Sequence, residues 1–382
     1  MAPGTKLIIR RSTPPTALRC DSSAERERIP AVLKISEIDE RENWNARLRG
    51  LPYSHVLQTW EWGEFKRAAG WIPQRLAFIR AGKPVAMASL LTRKMGPLQV
   101  MYVSKGPAMD YADHELAVQV FSELERRARR IGLVWLKIDP DVIAATGLPK
   151  TKEECACGGG RAITQTLKRR GWRFATSQVQ FRNTLTIDLN RSEDEILAAM
   201  SGNTRRKIRV AGKKGVSIRN ASIEDLPLLY QLYQVTGERD KFLIRPFDYY
   251  RRAWEAFMRA GLAHALIAEV NGVAIAHVIL FHFGRKCWYF YGASANEERQ
   301  RMPNYALQWA AIQWAKAQGY ETYDMWGAPD TFDESDSLWG VYQFKRGFRG
   351  RLTRHIGAWD FAPHPTLYYI YHQFVPRLLG VI

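Results

Sequence analysis

The chain has 382 residues, 46% of them hydrophobic, with a formal charge of +18 and a pI near 9.8. That length and apolar content fill two cores, which excludes a disordered chain and a small disulfide-stapled scaffold. The basic surplus points to polyanions such as RNA, nucleotide diphosphates or anionic lipid, and the 13 Trp, 16 Tyr and 16 Phe predict aromatic-lined clefts.

Residues 1–30 are basic, with scattered Pro and Ser, and read as a disordered tail. They hold no apolar run suited to a signal peptide, and no stretch reads as a transmembrane helix. A soluble, cytoplasmic protein is expected, with the inner face of the membrane as its other place of work. Cys20, Cys155, Cys157 and Cys287 match neither a disulfide framework nor a zinc site, which fits a reducing compartment.

A folded unit begins near Ala31. Residues 60–71 read as a helix with an aromatic face, ending at Gly70. Strands at 75–80 and 84–91 flank the turn Ala81-Gly82-Lys83, and a strand at 100–103 runs into Ser104-Lys105-Gly106-Pro107 and Asp110. Residues 114–132 form an amphipathic helix with its stripe at Leu116, Val120, Leu124 and Ala128. A strand at 134–138 ends at Asp139-Pro140-Asp141, and the loop 144–161 fits no pattern. The series then recurs. Strands at 265–269 and 274–283 flank Asn271-Gly272, and a strand at 288–291 runs into Gly292-Ala293-Ser294. A helix at 305–319 follows, then a strand at 322–326 ending at Gly327-Ala328-Pro329-Asp330. Gly82 and Gly272, Tyr102 and Tyr289, and Asp141 and Asp330 are each about 190 residues apart. Agreement in order, polarity and spacing predicts two copies of one α/β unit, at 31–188 and 189–359, with 360–382 packed on the first.

Between the units, Ser192 and Glu195 form a capping box that opens a helix predicted to run to Gly215. Arg205, Arg206, Lys207, Arg209, Lys213 and Lys214 wrap most of its second half, which suits a phosphate backbone. Residues 237–250 mix cations with aromatics, and an arginine beside a tyrosine there suits a nucleoside diphosphate. The stretch 342–350, Tyr-Gln-Phe-Lys-Arg-Gly-Phe-Arg-Gly, suggests a backbone in close approach with one cation aimed at something. The aromatic, apolar stretch from His364 onward reads as a docked terminal helix, with a peripheral membrane contact as the alternative.

Hairpin, strand, helix, strand resembles the GNAT acyltransferase fold. The phosphate loop that holds coenzyme A in that fold is altered here: 301–306 has Asn304 for the central glycine and Pro303, which lacks a donor N–H. The first unit has no such loop, so coenzyme A is not the expected donor and no resident cofactor is expected.

Taken together, the chain resembles the FemABX aminoacyltransferases, which are tandem-GNAT enzymes. The stretches that carry the resemblance are Gln58-Thr59-Trp60 to Lys66, Gly106-Pro107 to Asp110, Asn203 to Arg209, 237–249, Tyr289 to Ser294, Tyr323-Asp324-Met325-Trp326-Gly327 and Phe344-Lys345-Arg346-Gly347-Phe348. The resemblance implies an α/β fold of two tandem GNAT-like domains, mixed sheets flanked by helices, without the coiled-coil arm of some members. It implies transfer of an amino acid from aminoacyl-tRNA to a stem-peptide amine of a peptidoglycan precursor, either UDP-MurNAc-pentapeptide or lipid II. Lys66, Asp110, Arg245, Tyr249 and Tyr291 then fall where the family holds the UDP-sugar, and Phe344 and Lys345 where it handles the charged end of the tRNA. Lys345 is the candidate to stabilise the charge of the reaction. No His or Glu stands out as a general base, and His277, His282 and His355 read as structural. A DNA partner is not expected. Two rivals remain at this level: another N-acyltransferase, coenzyme A-dependent or making a small peptide, and a non-catalytic RNA-binding protein.

Overall fold

A computed structural model describes residues 33–378. The expected tail at 1–30 and Cys20 lie outside the described residues. The first series is β1 (Lys34–Glu37), α1 (Arg41–Arg49), α2 (Trp60–Arg67), β2 (Ile72–Arg80), β3 (Lys83–Met95), β4 (Leu98–Val103), β5 (Ala108–Met109), α3 (His114–Ile131) and β6 (Trp135–Ile138). Next come β7 (Ile143–Thr146), β8 (Cys155–Ala156), α4 (Gly158–Arg169), β9 (Arg173–Phe174), β10 (Asn183–Asp188), α5 (Glu193–Ala199) and α6 (Gly202–Lys213). The second series is β11 (Ser217–Asn220), α7 (Leu226–Asp240), α8 (Phe247–Arg259), β12 (Ala263–Val270), β13 (Val273–Phe283), β14 (Lys286–Ser294), α9 (Pro303–Ala317) and β15 (Thr322–Asp324). Last are α10 (Trp339–Arg346), β16 (Arg351–His355), β17 (Trp359–Phe361) and α11 (Pro365–Leu378).

The repeat read from the sequence is present in three dimensions. One sheet has the order β1-β2-β3-β4-β6-β17-β9, with β5 beside β3, and the other β11-β12-β13-β14-β15-β10-β16-β7-β8. Each contains one parallel pair spanned by a helix: β4 with β6 across α3, and β14 with β15 across α9. Both opening hairpins turn through two left-handed residues, Ala81-Gly82 (φ 49° and 77°) and Asn271-Gly272 (φ 51° and 78°), the backbone that a tight hairpin requires. Helix α3 starts where the Asp113 side chain accepts from Leu116 N and stops at left-handed Gly132, and it buries the expected stripe.

The sheets do not divide at residue 188. β7, β8 and β10 pair in the second sheet, whereas β17 returns to pair with β6 and β9 in the first. Loop 144–161 is therefore part of a sheet, because β7 bonds to β16, a partner some 200 residues away. Three apolar cores result, one in each half and one between them. The middle core joins Trp44, Trp62 and Phe65 to Trp254, Phe257, Phe281 and Trp288.

Two expectations need correction. The single helix over 192–215 is two helices. The Ser192–Glu195 capping box is formed, but Met200 takes an extended backbone and Ser201 caps α6 by accepting from Thr204 N. Ser-Gly at 201–202 favours a cap and a new start over continuation. The stretch 342–350 is helical up to Arg346. Its close approach is to the protein itself, because a Cβ at Gly347 would lie 2.4 Å from Thr204 Oγ1.

Candidate active site

Lys66 stands in the last turn of α2 and Tyr249 in the first turn of α8. The middle core packs these helices together, which brings Lys66 Nζ to 3.4 Å from Tyr249 Oη and 4.4 Å from the centre of the Trp62 ring. Arg245 precedes α8 and lies over the Tyr249 ring at 4.7 Å. Tyr291 on β14 packs edge-on against Tyr233, Tyr250 and Trp254. Burial, and then the like charge of Arg245, push the Lys66 ammonium down to about 8. Burial raises both Tyr249 and Tyr291. Neither Lys66 nor Arg245 has a carboxylate partner among the described residues. Two cations held against aromatic faces without a counter-ion have the charge and the flat surface that would suit an anion carrying a ring.

The structure does not bring Asp110 to these four side chains. Its Oδ1 accepts from Ala112 N at 2.9 Å, closing a local turn, and it faces Tyr53 instead. Spacing along the chain could not place it, since it follows an irregular turn at Lys105 and Gly106-Pro107.

Strand β14 leads from this patch to the second feature. Pairing between β14 and β15 covers only Lys286 to Trp288, after which β14 runs on and the two strands part. An extra residue at Phe290 interrupts the register with β13. Phe290 and Tyr291 consequently both face the middle core, and Tyr289 faces the core of the second half. Lys345 of α10 enters at this parting. Its ammonium is buried, 5.6 Å from the centre of the Tyr289 ring, and donates to the carbonyls of Trp326 (2.6 Å) and Gly327 (2.7 Å). Burial pushes it down to about 7, opposed by Asp324. Two acceptors leave one of its three N–H donors free. Phe344, one residue earlier, packs edge-on against Tyr305 at 5.0 Å and Phe348 at 5.4 Å.

Sequence reasoning missed a buried charge network between the halves. Lys105 Nζ lies 3.0 Å from Asp141 Oδ1 and donates to Phe181 O at 3.1 Å. Asp141 Oδ2 lies 3.5 Å from Lys286 Nζ of the second half and 3.9 Å from His55 Nε2. Asp139 accepts from Tyr102 Oη at 2.6 Å and from Lys105 N at 2.5 Å. Burial alone would raise Asp141, but the ammonium groups of Lys105 and Lys286 hold it well below the usual carboxylate range. Asp139 is pushed up to about 6 by its burial. The only local signal was the Asp139-Pro140-Asp141 strand end; every side chain that partners these two carboxylates is more than 30 residues away in sequence.

The six basic residues assigned to RNA separate into two groups. Arg205 Nη1 donates to Met200 O at 2.8 Å and so closes the end of α5, Lys207 Nζ donates to Tyr305 Oη at 2.9 Å, and Lys214 Nζ to Gln300 O at 3.0 Å. Arg206, Arg209 and Lys213 are exposed. None of the six has a carboxylate partner among the described residues, so the face stays strongly positive. The altered phosphate loop is engaged by its own contacts: Arg301 pairs with Glu298 and donates to Lys214 O, and Pro303 opens α9. His277, His282 and His355 are buried and each pushed down to about 4 by burial, which keeps them neutral. Among the described residues no group of three His, Cys, Asp or Glu could hold a metal, and no helix is long and apolar enough to cross a membrane.

The model described as the FemAB family matches residues 40–274 and 266–375. The chain is 25% identical over 402 aligned residues to the lipid II:glycine glycyltransferase of Staphylococcus haemolyticus (strain JCSC1435), covering 87% of this chain and 94% of that one. It is 26% identical over 404 residues to the lipid II:glycine glycyltransferase of Staphylococcus aureus (strain USA300), with coverage of 87% and 94%. A crystal structure of FemX superposes with a TM-score of 0.79 at 23% identity, over 88% of this chain and 99% of that one. A tandem GNAT protein from the clavulanic acid biosynthesis pathway shares the fold at a TM-score of 0.51 and 12% identity, over 87% and 99%.

Proposed function

Because the chain belongs to the FemAB family, we propose that it is an aminoacyltransferase that moves an amino acid from aminoacyl-tRNA onto the stem-peptide amine of a peptidoglycan precursor. Its relatives named as lipid II:glycine glycyltransferases support that class of acceptor. The observation that carries the reading is the placement of two features along one strand. At one part of β14, Lys66, Arg245, Tyr249 and Tyr291 offer uncompensated positive charge and aromatic faces, which suits the diphosphate and base or sugar of the precursor. At the other, Lys345 holds a buried ammonium where the strands part. The exposed cations of α6, near Tyr305 and Phe344, suit the acceptor arm of the tRNA.

In the transfer, the acceptor amine attacks the ester carbonyl and a C–N bond forms. The C–O bond to the tRNA ribose breaks, the amine gives up a proton and the leaving oxygen gains one. Negative charge grows on the carbonyl oxygen and then on the leaving oxygen. The free N–H of Lys345 is the donor for that charge. The donor ester is already activated, so positioning carries much of the remaining work. No resident cofactor enters this scheme. A lipid-linked acceptor would place the protein at the inner face of the membrane.

The experiment is to incubate the protein with mixed charged tRNA and either UDP-MurNAc-pentapeptide or lipid II, and to weigh the product. A mass gain equal to one aminoacyl residue is expected; unmodified acceptor in both cases sinks the reading. Two variants examine its parts. Arg245→Ala should raise the precursor Kd by about tenfold, as expected for a lost charge-assisted contact, and leave tRNA affinity unchanged. Equal weakening of both ligands by calorimetry would dissociate Arg245 from the precursor. Reversing Arg206, Arg209 and Lys213 to Glu should lower the slope of log K for tRNA against log salt by about 2–3. An unchanged slope would move the RNA off this helix.

A further inference from the structure

The two carbonyls that receive Lys345 are displayed by a bulge. On β10, Leu185 O accepts from Met325 N at 2.9 Å, and Asn183 O accepts from Ala328 N at 2.8 Å. Between these anchors β10 spends one residue, Thr184, while the opposite strand spends two, Trp326 and Gly327. Both of those are left-handed, with φ of 54° and 28°, a conformation that costs energy for tryptophan and persists only where its surroundings impose it. What imposes it here is Asp324. Its Oδ1 accepts from Trp326 N at 2.8 Å, which closes a side-chain turn over the bulge, and from Thr184 Oγ1 at 2.5 Å, which ties it to β10. Asp324 is buried and, like Asp139, has no ion-pair partner among the described residues, so its hydrogen bonds are what offset its burial.

We propose that Asp324 is a positioning residue for Lys345, fixing through the Trp326–Gly327 bulge the pair of carbonyls that aims the lysine's remaining N–H at the reacting ester. This deepens, and rests on, the assignment of Lys345 above. The charged and titratable groups around the pair are few. Tyr289 faces Lys345 from β14. Lys286 and Asp141 face Asp324, as do Lys105, Cys287 and Tyr323. Asp324 is the group that opposes the fall in the Lys345 value caused by burial. The ammonium is the working form, so the rate should fall as pH rises through about 7. Removing the carboxylate charge lowers the lysine further and moves that fall to lower pH.

Asp324→Asn keeps an acceptor for both hydrogen bonds and removes only the charge. In steady-state transfer from charged tRNA, the alkaline limb of kcat should move down by about one pH unit, since a close opposite charge shifts a pKa by about 1–3. At pH 8 this lowers kcat by about tenfold, with the acceptor KM unchanged. A limb at its wild-type position overturns the proposal. If Asp324→Asn does not fold, Thr184→Val carries the test, because it releases one of the two ties on Oδ1. A lower kcat at constant KM supports the proposal, and a wild-type kcat overturns it. Lys345→Met is run alongside. If that variant turns over normally, the assignment of Lys345 itself has failed. If it is slow while Asp324→Asn keeps the wild-type profile, only the part given to Asp324 has failed.

Discussion

Lys345→Met is expected to lower the single-turnover rate of transfer by about 10²–10³-fold, the usual cost of losing one donor to a developing oxyanion. Precursor binding should be unchanged, because Lys66 and Arg245 lie on other elements. Methionine fills nearly the same volume, so the core around α10 survives. It cannot donate to Trp326 O and Gly327 O, which the lysine reaches at 2.6 and 2.7 Å. Each orphaned acceptor costs about 1–3 kcal/mol of stability, so the variant should also melt lower. The discriminating measurement is rapid-quench transfer at saturating acceptor. A loss confined to stability, with the chemical step intact, would reduce Lys345 to a structural pin.

Asp141→Ala is expected to destabilise the protein by about 3–5 kcal/mol, as is typical when one partner of a buried ion pair is removed. The loss leaves Lys105 buried with no carboxylate at the 3.0 Å position and releases Lys286 of the other half. A lower urea midpoint with an unchanged slope checks it; a midpoint equal to wild type would show that the network contributes nothing net. The sign with pH follows from the same contacts. The folded value of Asp141 lies well below the unfolded 3.8. Its contribution is therefore present at neutral pH and is lost only as pH falls below the ordinary carboxylate range.

The repeated architecture was legible because it is written in local signals. Left-handed turn residues at 82 and 272, the apolar stripe of α3 and the alternation of short strands each report only on their neighbours. Strand partners are not local, which is why loop 144–161 looked patternless although β7 is hydrogen-bonded within a sheet. The same distinction holds for the site. Lys66, Arg245, Tyr249 and Tyr291 were picked out by resemblance, and the fold gathers them from α2, from α8 with the segment before it, and from β14. Asp110, picked the same way, sits apart. Lys345 was legible as a cation in a glycine-flanked aromatic stretch, but its burial was not, since that depends on a bulge between β10 and β15. Asp141 and Asp324 were hidden for the opposite reason. A carboxylate at a strand end reads as solvated until the chain that covers it is known.

The placement of β17 between β6 and β9 bears on how this polypeptide is made. On the ribosome, β6 emerges more than 200 residues before the strand that flanks it, so the N-terminal sheet waits with an open edge while the intervening residues are made. Closure of that sheet waits until β17 has emerged, and a nascent chain stalled before Trp359 presents that edge to chaperones.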